Sequence, residues 1–270
     1  MSQKTITTNR AYLYRENKFI SQSTDLIAET PLEIIINDTS QILMCTPHML
    51  KELVIGFVFT EGFIHDISEI DTYTISVPQS GDERQDIHAK VFIPSFKNGA
   101  SVSTRISYSS CGVCGRHSLN DLKKQLTRVK SRHRFSMKML IEFTRKMKTC
   151  QPVYKKTGGA HAAILIDKKG NLILSAEDMG RHNALDKVIG SILIKKISTS
   201  DKVVISSGRA SLEMILKTAR IGIPLFLALS RPTSKAVEAA KFFNITLVDM
   251  ARGSNLIHTH VRRIEGFQPD

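Results

Sequence analysis

The chain has 270 residues, 41% hydrophobic and 23% charged, which excludes a disordered chain and allows one large domain or two smaller ones with sizeable cores. Its 38 lysines and arginines against 25 aspartates and glutamates give a net charge of +13, so an anionic partner is favoured without a choice among nucleic acid, nucleotide, acidic protein and membrane surface. The start Met1-Ser2-Gln3-Lys4-Thr5 lacks an apolar run, and no segment reaches the ~18 apolar residues of a membrane span; the expectation is a cytoplasmic protein outside the membrane.

In chain order, residues up to about Ala28 alternate only weakly. Pro31-Leu32-Glu33-Ile34-Ile35-Ile36 reads as a β-branched strand running into a turn at Asn37-Asp38, with Ile42-Leu43-Met44-Cys45 as its partner. Thr46-Pro47-His48 opens a helix with Pro47 in the first turn and Leu50, Leu53, Val54, Phe57 and Val58 on its apolar face. It ends near Glu61-Gly62, and Gly56 within it marks a close-packing point. Alternating runs at Tyr73–Val77 and Ile87–Ile93 complete a small α+β unit.

A flexible connection then carries Ser109-Ser110-Cys111-Gly112-Val113-Cys114-Gly115. Two thiols two residues apart among glycines, beside Arg116 and His117, favour a reactive thiolate. Cys45 and Cys150, among apolar or helix-forming residues, are read as space-filling. From Lys123 to Lys148 the segment holds eight further basic residues, Lys124, Arg128, Lys130, Arg132, Arg134, Lys138, Arg145 and Lys146, with Glu142 its one acid. The reading is a solvated face on a helix capped by Ser136, with Met137, Leu140, Ile141 and Met147 inward, against a docking surface for an acidic partner or phosphates. No interleaved aromatic series or zinc-finger or RNA-module signature accompanies it, so nucleic acid is not expected.

After Pro152 short apolar strands alternate with helices, the pattern of an α/β layer structure. The expected organisation is a small N-terminal α+β domain, residues 1–134, followed by a three-layer α/β domain, residues 135–270. Strands are predicted at 162–166, 172–175, 203–206, 225–230 and 245–248, and helices at 183–195, 210–221 and 233–243. The first two strands form a hairpin and the later ones run parallel. Ligands of such sheets bind beyond the carboxyl ends of the strands. Three of these ends, Ser206-Ser207-Gly208-Arg209-Ala210-Ser211, Ser230-Arg231-Pro232-Thr233-Ser234 and Met250-Ala251-Arg252-Gly253-Ser254-Asn255, each join an arginine to hydroxyl residues, as a phosphate pocket would. The alternative is that Ser and Thr cap helices and the arginines are surface residues. No Walker loop or Gly-x-Gly-x-x-Gly fingerprint is present.

His161, after Gly158-Gly159, opens a strand, and His182, in Glu177-Asp178-Met179-Gly180-Arg181-His182-Asn183, opens a helix; Glu177 and Asp178 are candidates to orient either imidazole. A zinc site could combine Cys111, Cys114 and His161, but a zinc deaminase needs a glutamate two residues after the histidine, and Ala163 stands there. Thiol chemistry remains, as a persulfide on Cys111 or a disulfide with Cys114.

Ser110-Cys111-Gly112-Val113-Cys114-Gly115, Thr157-Gly158-Gly159-Ala160-His161, the run from Glu177 to Lys187, and Ser207-Gly208-Arg209 with Ser211 and Glu213 together resemble the FdhD family, accessory sulfurtransferases needed for formate dehydrogenase activity. The similarity spans nearly the whole chain. It implies a cytidine-deaminase-like second domain, a homodimer, and sulfur passed from a cysteine desulfurase to Cys111 as a persulfide, with Cys114 assisting. The implied recipient is the molybdenum or tungsten bis-molybdopterin guanine dinucleotide cofactor, handed on to formate dehydrogenase. The implied cofactor contacts are Met250, Ala251, Arg252, Gly253, Ser254 and Asn255, joined by Arg209 and His182, with no metal ligated by the protein itself. Met250 stands where the family pattern has an aromatic residue, and Ile257 or His258 where it has a tyrosine. The competing readings are a cofactor-binding chaperone without sulfur transfer and a zinc-dependent deaminase-like hydrolase.

Overall fold

The computed structural model describes residues 4–77, 87–96, 105–107 (backbone only) and 126–268. The chain begins with a hairpin of β1 (Ile6–Arg15) and β2 (Lys18–Ile27), closed by Glu16 and Asn17, both at positive φ. Paired positive-φ residues match the right-handed twist of hairpin strands. The alternation is weak because neither face forms a core: Tyr12 is 65% exposed and Phe19 75%.

A five-stranded sheet follows, built from β3 (Thr30–Ile36), β4 (Thr39–Cys45), β5 (Thr72–Ser76), β6 (Ile87–Phe92) and β7 (Arg105–Ser107) in the order β5-β6-β3-β4-β7. The turn between β3 and β4 falls at Asn37-Asp38, with Asn37 at φ 50°, a conformation asparagine tolerates. Leu32, Ile34 and Ile36 alternate inward against α1 (Leu50–Thr60). Pro47 is not in the first turn of this helix, contrary to expectation. The helix starts at Leu50 after Met49, which is left-handed, because Thr46 is held from outside: its N–H donates to Asp178 Oδ2 (3.1 Å) and its carbonyl accepts from Lys187 Nζ (3.0 Å).

The next segment carries the basic residues. Arg128, Lys130, Arg132, Arg134, Lys138, Arg145 and Lys146 are exposed, while Phe135, Leu140, Phe143 and Met147 turn inward. Ser136 Oγ accepts from the Met139 N–H (3.4 Å) at the start of α2 (Met137–Lys146). After α3 (Pro152–Thr157) come β8 (His161–Asp167), β9 (Leu172–Asp178), α4 (Arg181–Ile194), β10 (Lys202–Arg209), α5 (Leu212–Arg220), β11 (Leu225–Ser230), α6 (Ser234–Phe243), β12 (Thr246–Asp249) and the short β13 (Leu256–Ile257). The sheet order is β13-β12-β11-β10-β8-β9. β8 and β9 are the expected antiparallel hairpin, and β10, β11 and β12 run parallel through helical crossovers. β13 adds an antiparallel edge that two residues were too short to signal.

Alternation along the central strands supplies two cores, one on each face. Leu165, Val204, Phe226 and Leu247 pack with residues of α1, α4, α5 and α6; Ile164, Ile205, Leu227 and Val248 pack with Leu140 and Phe143 of α2. The α/β class and the three layers of helix, sheet and helix are those expected. α1 and α4 cross at a reciprocal glycine contact: a Cβ on Gly56 would lie 1.9 Å from Asp186 O, and one on Gly190 1.9 Å from Glu52 O. Among the described residues no helix is long and apolar enough to cross a membrane.

Candidate functional site

β8 begins, and β9, β10, β11 and β12 end, at the same edge of the second sheet, because β8 runs antiparallel to both its neighbours while β10 to β12 run parallel. That edge collects His161, Asp178, Ser207 to Arg209, Ser230 to Thr233 and Asp249 to Asn255.

The acids of the Glu177-to-Lys187 run serve the scaffold. Glu177 accepts the N–H groups of Val153 and Tyr154 (both 2.8 Å) at the start of α3. Asp178 is fully buried; its Oδ1 accepts from Gly180 N (2.9 Å) and Asn183 Nδ2 (3.0 Å), and its Oδ2 pairs with Lys187 Nζ at 2.6 Å. Neither acid hydrogen-bonds an imidazole, so the expectation that they orient His161 or His182 is corrected: backbone donors, the Asn183 amide and Lys187 occupy their oxygens. This knot fixes the first turn of α4, which presents Arg181 and His182.

His161 Nδ1 lies 3.2 Å from Ser207 Oγ, which also accepts the Ala162 N–H (2.9 Å). Burial, then the charges of Arg181 and His182, lower the His161 pKa, with Asp178 opposing. His182 Nε2 sits 2.9 Å from Glu213 Oε2. Thr233 Oγ1 caps α6 by accepting from Ala236 N (3.2 Å), as the helix-capping alternative predicts, but Ser211 at the equivalent position of α5 makes no capping bond.

The third loop is organised by Asp249, wholly buried at the end of β12. Its Oδ1 accepts from Ala251 N (2.7 Å), its Oδ2 lies 3.2 Å from Arg231 Nη1 and 3.7 Å from His258 Nε2, and its carbonyl accepts from Ser254 Oγ (2.9 Å). The backbone passes through positive φ at Arg252 (53°), Gly253 (75°) and Asn255 (50°). Met250 and Ala251 are buried, whereas Arg252, Gly253 and Asn255 are exposed. The second loop's arginine is thus tied into the third loop, while Arg209 stays exposed at the end of β10.

Cys111 and Cys114 lie outside the described residues, between Ser107 and Leu126. Ser107 pairs with Leu43 on β4, whose following residues reach Thr46 and its bonds to Asp178 and Lys187. Two residues of the edge had been given no role by sequence reasoning. Asp249 could have been found as a carboxylate ending the apolar Thr246-Leu247-Val248, and Arg181 as a cation in a helix's first turn, where the dipole disfavours it.

Residues 27–265 match the FdhD/NarQ family. A protein named sulfur carrier protein FdhD from Sulfolobus acidocaldarius is 36% identical over 251 residues, covering 91% of this chain and 93% of the relative. One of the same name from Bacillus subtilis is 33% identical over 268 residues, covering 98% and 99%. A solved structure, a putative formate dehydrogenase accessory protein from Desulfotalea psychrophila, superposes with a TM-score of 0.74 at 26% identity, covering 97% of this chain and all of that one.

Proposed function

The chain belongs to the FdhD/NarQ family, and from that premise we propose that it is a sulfur carrier that serves the maturation of formate dehydrogenase. The Cys111 thiolate attacks the outer sulfur of a cysteine desulfurase's persulfide. A new S–S bond forms at Cys111, the donor's S–S bond breaks, and the donor cysteine leaves as thiolate. Cys114 assists transfer. The recipient is the molybdenum or tungsten bis-molybdopterin guanine dinucleotide cofactor, which the protein takes as substrate and passes to formate dehydrogenase; the carrier acts as a homodimer in the cytoplasm.

The observation that carries the recipient half is the loop built on Asp249. One buried carboxylate holds the Ala251 N–H and lies beside Arg231 and His258, and its own carbonyl holds Ser254, so Arg252, Gly253, Ser254 and Asn255 are preorganised before any ligand arrives. Such a loop offers backbone amides and a guanidinium to a diphosphate at little ordering cost. Met250 and Ala251 support it from within the core, and Arg209 and His182 extend the same edge toward the start of α4. The carrier half is supported by the names of the relatives and by the cysteine pair in the segment that follows β7.

Incubation with a cysteine desulfurase and cysteine, followed by mass spectrometry, is expected to add one sulfur at Cys111 and none in Cys111→Ala; loading elsewhere overturns the carrier assignment. GDP is expected to bind the wild type and to bind Arg252→Ala about tenfold or more weakly, the loss for a charge-assisted hydrogen bond. Equal affinity removes the third loop from the pocket.

A further inference from the structure

At the junction of β10 and α4 two guanidinium groups lie near one another, and one of them, among the described residues, has a buried nitrogen without a hydrogen-bond partner. Arg181 stands first in α4, where the helix dipole already disfavours a cation. Its stem lies across Gly208, so closely that a Cβ there would come 2.8 Å from the Arg181 Cδ. That contact sets it beside Arg209, the next residue of β10. The Arg181 Nε is buried and, among the described residues, has no hydrogen-bond partner. Burial, then the Arg209 charge, depress the Arg181 pKa, and Glu213 offsets this only in part. Glu213 is also the carboxylate 2.9 Å from His182 Nε2. Ser211 Oγ, at the start of α5, is buried and unbonded too.

Buried polar atoms without partners and neighbouring like charges each cost free energy in the unliganded protein, and among the described residues no hydrogen bond to the Arg181 Nε or the Ser211 Oγ offsets it. Asp178 and Asp186 are close in sequence to Arg181, but their oxygens are engaged with Lys187 and Lys217 respectively, both pairs at 2.6 Å. An anion that accepts from Arg181, Arg209 and Ser211 relieves all of these costs together.

We propose that Arg181, Arg209 and the Ser211 hydroxyl form a seat for a phosphate group, distinct from the loop built on Asp249 and at the His161 end of the same sheet edge. The inference rests on the reading that the strand-end loops receive a phosphate-bearing cofactor, and it assigns the residues that engage one phosphate of it. His161, 3.2 Å from the Ser207 hydroxyl, borders the seat and reports on its charge, since a nearby anion favours the imidazolium.

The test titrates inorganic phosphate into the full-length protein at constant ionic strength, by calorimetry, with the His161 ring followed by NMR. The expected result is saturable binding, a rise in the His161 pKa on saturation, and a loss of about tenfold or more in Arg181→Gln. Lys235→Gln removes the same charge from an exposed ion pair with Glu238 and is expected to change nothing. Equal binding by Arg181→Gln and Lys235→Gln, or a His161 pKa indifferent to phosphate, overturns the seat. If Arg181→Gln fails to fold, Arg209→Gln and Ser211→Ala decide by the same criterion.

GDP separates the two readings. GDP binding that needs Arg252, with phosphate indifferent to Arg181, overturns the seat alone. Arg181-dependent phosphate binding with no GDP binding in the wild type overturns the nucleotide reading and leaves the seat as a site for free oxyanions. Competition between GDP and phosphate at Arg181 supports the seat as part of the cofactor pocket.

Discussion

Replacing Gly56 by alanine should cost more than its size suggests. The added Cβ would stand 1.9 Å from Asp186 O and 2.6 Å from its carbonyl carbon, whereas close C···O contacts fall near 3.3 Å, so α1 and α4 must separate by about 1.4 Å. Separation on that scale forfeits much of the dispersion energy along the crossing, and overpacking of a filled interior typically costs ~1–3 kcal/mol. Against this stands a gain of about 1 kcal/mol in helix propensity. A net loss of up to about 2 kcal/mol corresponds to a fall of up to about 4–8 °C in Tm for a chain of this size.

Gly190→Ala meets Glu52 O at the same 1.9 Å and should cost about as much alone. The double variant should cost clearly less than the two combined, because helices moved apart for one methyl already make room for the other. Urea denaturation of the four proteins measures this, with an unchanged m-value as the sign that the two-state assumption holds. A stabilised Gly56→Ala, or strict additivity in the double variant, would refute the reciprocal contact.

Lys187→Met should destabilise by about 3–5 kcal/mol by leaving the buried Asp178 without its cation, and adding Asp178→Asn should recover part of that loss; chemical denaturation that finds the single variant neutral contradicts the role given to the pair. Cys45 is buried, and burial first, then the Asp178 charge, push its thiol up to about 12, with Lys187 opposing. It should therefore resist iodoacetamide in the folded protein at neutral pH. Because its folded pKa is raised, the stability it contributes is fully present below the unfolded value of 9.0 and lost as pH rises toward about 12; Cys45→Ala should lack that alkaline loss in denaturation curves taken from pH 8 to 11.

Much of the fold was legible because its signals are local. Strands such as Val203–Ser206 are apolar on both faces, as strands covered by helices on two sides must be, and Asn37-Asp38 and Ser136 carry their turn and cap chemistry in their own side chains. The hairpin of residues 6–27 was not legible, since a ribbon without a core has no face to keep apolar. The start of α1 was misplaced for a different reason. Pro47 suits a helix's first turn, but the Thr46 backbone is claimed by Asp178 and Lys187, more than 130 positions away, and no local pattern announces a partner at that separation.

The site shows the same division in one stretch of sequence. Glu177, Asp178, Arg181, His182 and Lys187 stand close enough to invite a single reading as catalytic machinery, with acids orienting histidines. The alternation of strand and helix separates them: Glu177 and Asp178 end β9 facing backbone donors, Lys187 lies one and a half turns into α4 and reaches back to Asp178, and only Arg181 and His182, in the first turn, point to the strand ends. The buried pair carries no net charge, and Asp178 only partly opposes the cations around His161. Among the described residues, the charges acting on Arg181 are those of Arg209 and Glu213, and that balance is the ground on which an anionic ligand is proposed. The net charge of the chain alone could not have located it, since exposed cations such as Lys138, Arg145 and Lys146 lie on α2, on the other side of the sheet from α4.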